Sequence, residues 1–86
     1  MSLMKRSILR LPLVQQRVGK GRSTIYADVA QGLFTRPVKS GPRCAGWPDD
    51  EVDAIVDARI AGADDDVIRH LVERLHKARK SNAPSI

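Results

Sequence analysis

The sequence predicts a mainly α-helical fold with one small β-hairpin, and three observations carry that reading. Aliphatic residues recur at helical spacing in four separate stretches. Two β-leaning stretches flank Ser40-Gly41-Pro42. Tyr26, Phe34 and Trp47 are the only aromatic residues, so aliphatic side chains must supply most of the burial, which favours packed helices over a large sheet. At 86 residues the chain is expected to form one domain with a modest core, too small for a typical enzyme cleft.

The elements follow in order. Pro12 suits the first turn of a helix, and Leu11, Val14 and Val18 repeat at helical spacing until Gly19 stops it. Gly19-Lys20-Gly21 makes a tight turn. A second helix runs from about Arg22 to Gln31, with Ile25 and Val29 on its buried side and Gly32 as its stop. After Leu33 and Phe34, the stretches Pro37 to Ser40 and Arg43 to Trp47 form a hairpin with Gly and Pro at its tip. Pro48 and Asp49-Asp50-Glu51 open a third helix, because acids at a helix start complement its dipole; Val52, Ile55, Val56 and Ile60 give its core stripe. Gly62-Ala63 breaks the pattern, and Asp64-Asp65-Asp66 starts a fourth helix with a stripe of Val67, Ile68, Leu71, Val72 and Leu75. From Arg79 the chain turns basic, then polar with Pro84, and reads as a frayed end. Helix, tight turn, helix and hairpin in that order are the anatomy of a winged helix-turn-helix, here with a C-terminal helix added.

Charge is distributed unevenly. Residues 1–47 hold nine Lys or Arg against the single acid Asp28, a net of +8, whereas residues 48–86 are net −3. The basic half contains the second helix and the hairpin, which is the footprint expected of a nucleic-acid binder with a neutral-to-acidic support. A basic surface kept for solubility is the bland alternative. Cys44 stands alone, so no intrachain disulfide forms; no apolar run reaches the length of a membrane span and no signal-peptide core is evident. A cytoplasmic location is the expectation.

Arg22, Ser23, Thr24 and Tyr26 project from the first turns of the second helix on a face that packing does not need. Arg can pair bidentately with guanine, Ser and Thr can bond phosphates or base edges, and Tyr can reach a phosphate or a thymine methyl. The same residues also suit an ordinary solvated helix start with Tyr26 folded onto the core. Lys20 in the turn, and Arg36, Lys39 and Arg43 on or beside the hairpin, complete the candidate set. Lys and Pro on a hairpin equally discourage unwanted strand pairing. Trp47 reads as a core anchor between the hairpin and the third helix rather than a stacking platform.

From Ile8-Leu9-Arg10-Leu11-Pro12 through Glu51-Val52-Asp53, the chain carries RVG, RSTIY, RPVK and GW elements in order, and in this it resembles the AlpA family of phage and prophage regulators. These are relatives of excisionase and MerR-type winged helix-turn-helix domains. The resemblance implies double-stranded DNA as partner, with the second helix in the major groove and the wing on the sugar-phosphate backbone. Two departures stand out. Family members commonly have serine where this chain has Gly21, a tolerable helix cap, and often a basic residue where it has Ala27. Asp28, next to Ala27, must face away from the phosphates or contact a cytosine amino group.

Other chemistry finds little support. His70, Glu73 and His76 are spaced three and three apart, which spreads them over about 120° of a helix surface with no fourth ligand near, so no metal is expected. Gly19-Lys20-Gly21-Arg22 lacks the preceding strand of a nucleotide-binding loop, and no nucleophile, acid–base pair or cofactor motif is present, so an enzyme is not expected. The expected organisation is a winged helix-turn-helix DNA-binding domain over 7–61, a C-terminal helix over 62–80 and a flexible tail over 81–86. The C-terminal stripe is wider than one flank of so small a core requires. Two arrangements stay open for it: a homodimer surface through Val67, Leu71 and Leu75, or a return onto the third helix. Two other functions also stay open, an excisionase-like architectural factor that bends DNA and a protein-interaction module using the last helix.

Overall fold

The computed structural model describes residues 7–81. Its elements are β1 (Ile8–Leu9), α1 (Leu11–Val18), α2 (Arg22–Ala30), β2 (Val38–Gly41), β3 (Cys44–Pro48), α3 (Asp49–Ile60) and α4 (Asp65–Ser81). Local signals account for most boundaries. Gly19 ends α1 at φ 69°, a left-handed conformation that glycine adopts without Cβ strain, and its N–H donates to the Gln15 carbonyl. Asp64 caps α4 rather than starting it, its Oδ1 accepting the Val67 N–H at 3.0 Å. The acids Asp49, Asp50 and Glu51 occupy the first turn of α3, where the dipole favours them.

The sheet has three strands in the order β1-β3-β2, both pairings antiparallel. Val38 lies opposite Gly46, Lys39 opposite Ala45, and the ladder is irregular between Lys39 and Gly41. The third strand is an addition to the hairpin expected from sequence: Ile8 and Leu9 pair with Pro48 and Trp47. Ser7 then bonds the first residue of α3, accepting from the Asp49 N–H at 2.8 Å. Gly46 makes this close approach possible. A Cβ there would sit 2.5 Å from Ile8 Cγ2 and 2.6 Å from the Leu9 carbonyl oxygen.

The core draws on nearly every element: Leu9, Val14, Ile25, Leu33, Phe34, Trp47, Val52, Ile55, Ile68 and Val72 are buried. Trp47 is at its centre, donating from Nε1 to the Thr35 carbonyl at 2.7 Å with its ring 5.9 Å from Phe34.

Several expectations need correction. Ile60 is 79% exposed and Val67 50% exposed, so each helical stripe runs one residue beyond what its neighbours cover. Val56 packs against the core as expected, and with Ile60, Val18, Ile25 and Leu33 it lines an open cavity of about 310 Å³. Leu71 and Leu75 pack against the core beside Ile68 and Val72. Arg79 belongs to α4, not to a frayed end, and the tail expected beyond Ser81 lies outside the described residues. The fold is a winged helix-turn-helix with an added C-terminal helix.

Candidate nucleic-acid interface

The N-cap of α2 is Gly21, which has extended backbone and no side chain to cap the N–H groups behind it. Those donors and the positive end of the helix dipole are left to an incoming anion. Ile25 is buried beneath the helix, Ser23 and Thr24 turn away from it, and Arg22 is exposed at the first position of the helix. Tyr26 falls between the two roles considered for it. It is 41% exposed, yet its ring centroid lies 6.0 Å from that of Trp47 at a tilt of 58°, so it braces α2 against β3 while part of its ring stays at the surface.

The wing offers Lys39 on β2 and Arg43 at the tip, both exposed, with the exposed Arg36 just before it. Among the described residues, none of the side chains of Arg22, Arg36, Lys39 and Arg43 forms a salt bridge. Arg17 and Arg79 each sit on a carboxylate of α3, Asp53 at 2.8 Å and Glu51 at 2.6 Å. Lys20 differs from the rest of the candidate set. Its Nζ contacts Asp28 Oδ2 at 2.6 Å, and the acid is only 15% exposed, so a phosphate approaching Lys20 must compete with a carboxylate already in place. This pair also explains the acid that sequence reasoning found awkward. Asp28 reaches back across the turn to Lys20, eight residues earlier, a pairing with no local sequence signal.

Sequence reasoning also missed the part α4 plays near the wing. His76 and Arg79 meet the backbone of Arg36, and Arg69 meets Gln31 at the end of α2. The sequence offers no role for His76 beyond a metal ligand; in the fold its Nε2 accepts the Arg36 N–H at 3.1 Å. Burial, then the positive charges of Arg36 and Arg79, hold its pKa below the ordinary 6.5, against an opposing pull from Glu51. Among the described residues no group of three or more His, Cys, Asp or Glu is arranged to hold a metal ion, and no helix is long and apolar enough to cross a membrane.

A cationic helix–turn–helix followed by a small wing defines the class, a compact winged helix-turn-helix protein. The family described as Prophage CP4-57 regulatory protein (AlpA) matches residues 7–60, and the chain belongs to that family. It is also similar to uncharacterized protein ORF88 of Enterobacteria phage P4, with 41% identity over 54 residues, covering 63% of this chain and 61% of that protein. The chain thus spans less than two thirds of that relative. No solved structure matches it.

Proposed function

We propose that this AlpA-family regulatory protein binds double-stranded DNA sequence-specifically, with the start of α2 in the major groove and the wing on the sugar-phosphate backbone. The observation that supports this best is the separation of its cations: Arg17 and Arg79 are neutralised by acids of α3, while Arg22, Arg36, Lys39 and Arg43 on the reading helix and around the wing have no acidic partner among the described residues. Arg22, Ser23 and Thr24 read base edges or anchor on phosphates at the helix start; Arg36, Lys39 and Arg43 position the wing. Such a protein acts where the chromosome is, in the cytoplasm of a bacterial host, as a transcriptional regulator of phage or prophage genes. An excisionase-like role would use the same surface and add a bend in the DNA, which gel mobility with permuted sites would reveal.

The deciding experiment compares wild type with Arg22→Ala on a preferred duplex and a random one. A base-reading Arg22 is worth about 1–3 kcal/mol on the preferred site and much less on random DNA. Equal losses on both duplexes reduce Arg22 to a phosphate contact, and a wild type that binds neither removes the proposal.

A further inference from the structure

The family match ends at residue 60, and α4 lies wholly beyond it. Three of its side chains nevertheless converge on one segment, the irregular connection from Gln31 to Pro37 that joins the reading helix to the wing. At the α2 end, Arg69 Nε donates to the Gln31 carbonyl at 3.0 Å. At the wing end, His76 Nε2 accepts the Arg36 N–H at 3.1 Å, and Arg79 Nη2 donates to the Arg36 carbonyl at 2.7 Å. Both backbone polar groups of Arg36 are thus held by α4. Positions 69, 76 and 79 fall within about 80° of one another around a helix, so one face of α4 supplies all three contacts.

The anchor behind this face is rigid. Arg79 also grips Glu51 with two donors, Nε at 2.8 Å and Nη2 at 2.6 Å, and Glu51 is 1% exposed in the first turn of α3. A paired, forked geometry of this kind fixes the guanidinium plane and hence the direction in which it meets Arg36. The connection has no strand ladder of its own: its first residues bond back to α2 and Trp47 holds the Thr35 carbonyl, while side chains from α4 hold Gln31 and both polar groups of Arg36.

We propose that Arg69, His76 and Arg79 are positioning residues that clasp the connection between α2 and the wing, holding the two at the angle at which both meet one duplex. The clasp rests on the DNA-binding reading given above. It also has a proton-sensitive member. His76 accepts through Nε2 only while its ring is neutral; a proton there would turn the acceptor into a donor facing an N–H. The charge would also stand beside Arg36 on the connection and Arg79 on α4, with Glu51 of α3 as the one opposing group. The folded-state pKa lies below 6.5, so the contact is complete above that pH and is lost as pH falls through the folded value.

Glu51 is buried, so removing the Arg79 side of the pair threatens the fold itself, and the test uses R69M/H76F, which leaves the Arg79–Glu51 pair intact. Salt titrations on a preferred duplex are run for wild type, K39A, R69M/H76F and the triple combination, with urea unfolding as the control. The expected result is a near-wild-type unfolding midpoint for R69M/H76F and a log–log salt slope lower by about one, the loss of a single wing phosphate contact. K39A should lower the slope by about one in wild type and change nothing further when the clasp is gone. The affinity of wild type should fall below pH 6.5 more steeply than that of R69M/H76F. Additive effects of K39A and R69M/H76F, with normal wild-type binding, overturn the clasp alone. A wild type that binds no duplex, or that is indifferent to K39A, overturns the interface reading on which the clasp depends.

Discussion

Gly46→Ala puts one methyl group where the fold has no room for it. The added Cβ would lie 2.5 Å from Ile8 Cγ2 and 2.6 Å from the Leu9 carbonyl oxygen, whereas ordinary contacts begin at 3.4 Å. Ile8 is exposed and can swing its side chain aside. The Leu9 oxygen belongs to the backbone of β1 and cannot, so the strand must retreat by close to an ångström. Its pairings with Trp47 and Pro48 are then strained or broken. Overpacking of this kind costs about 1–3 kcal/mol while β1 stays attached. If β1 detaches, Leu9 leaves the core, and re-exposing a buried leucine adds about 2 kcal/mol. A loss of about 2–4 kcal/mol is therefore expected, a large part of the stability of a domain this small. Trp47, the sole tryptophan, is buried against β1 and reports unfolding by fluorescence without any label. With a urea slope of about 1 kcal/mol per M, the midpoint should move by roughly 2 M or more. A G46A midpoint and slope equal to wild type would mean that β1 does not lie across Gly46.

Two further outcomes follow from burial. Thr35 is fully buried and its hydroxyl has no hydrogen-bond partner among the described residues, so Thr35→Val, which keeps the shape, should stabilise the domain by about 1 kcal/mol in urea unfolding; a comparable loss would show that the hydroxyl is bonded after all. Leu71 packs on the core, so Leu71→Glu should destabilise the monomer by about 2 kcal/mol or more, whereas sedimentation that finds a dimeric wild type and a stable, monomeric L71E would support the homodimer reading of α4.

What the sequence makes legible is local. The four helices show themselves because their stops and starts sit beside them, Gly19 in left-handed backbone and Asp64 on the Val67 N–H among them. The hairpin shows itself because Gly41, the last residue of β2, and Pro42, in the Pro42-Arg43 turn, stand at its tip. A two-residue strand such as Ile8–Leu9 has no room for alternation, and its trace is the distant Gly46 of β3, whose reason is steric. Apolar periodicity also cannot say where the covering element ends, which is why Ile60 and Val67 were placed on core stripes and stand at the surface. The candidate interface divides in the same way. Exposure of Ser23 and Thr24 follows from the period that buries Ile25, and that of Arg22 from its place at the helix start, whereas the engagement of Lys20 by Asp28 depends on a turn that only the fold defines.

Charge shows the limit most clearly. By count, Asp49, Asp50, Glu51 and Asp53 are equivalent acids at the head of one helix, and the carboxyl-terminal half is simply the acidic support of a basic one. In the fold they do different work. Asp53 faces Arg17 at the surface, where such a pair contributes little to stability. Glu51 is buried beneath Arg79, and removing Arg79 would weaken the compensation of a charge in the interior. Among the described residues Asp53 engages Arg17, Glu51 engages Arg79 of α4 and Asp28 engages Lys20, so the amino-terminal cations left without a salt bridge there are Arg10, Arg22, Arg36, Lys39 and Arg43, most of them at the start of α2 and around the wing. A net charge can state that a nucleic-acid partner is affordable; which side chains meet it depends on which cations the fold has already neutralised.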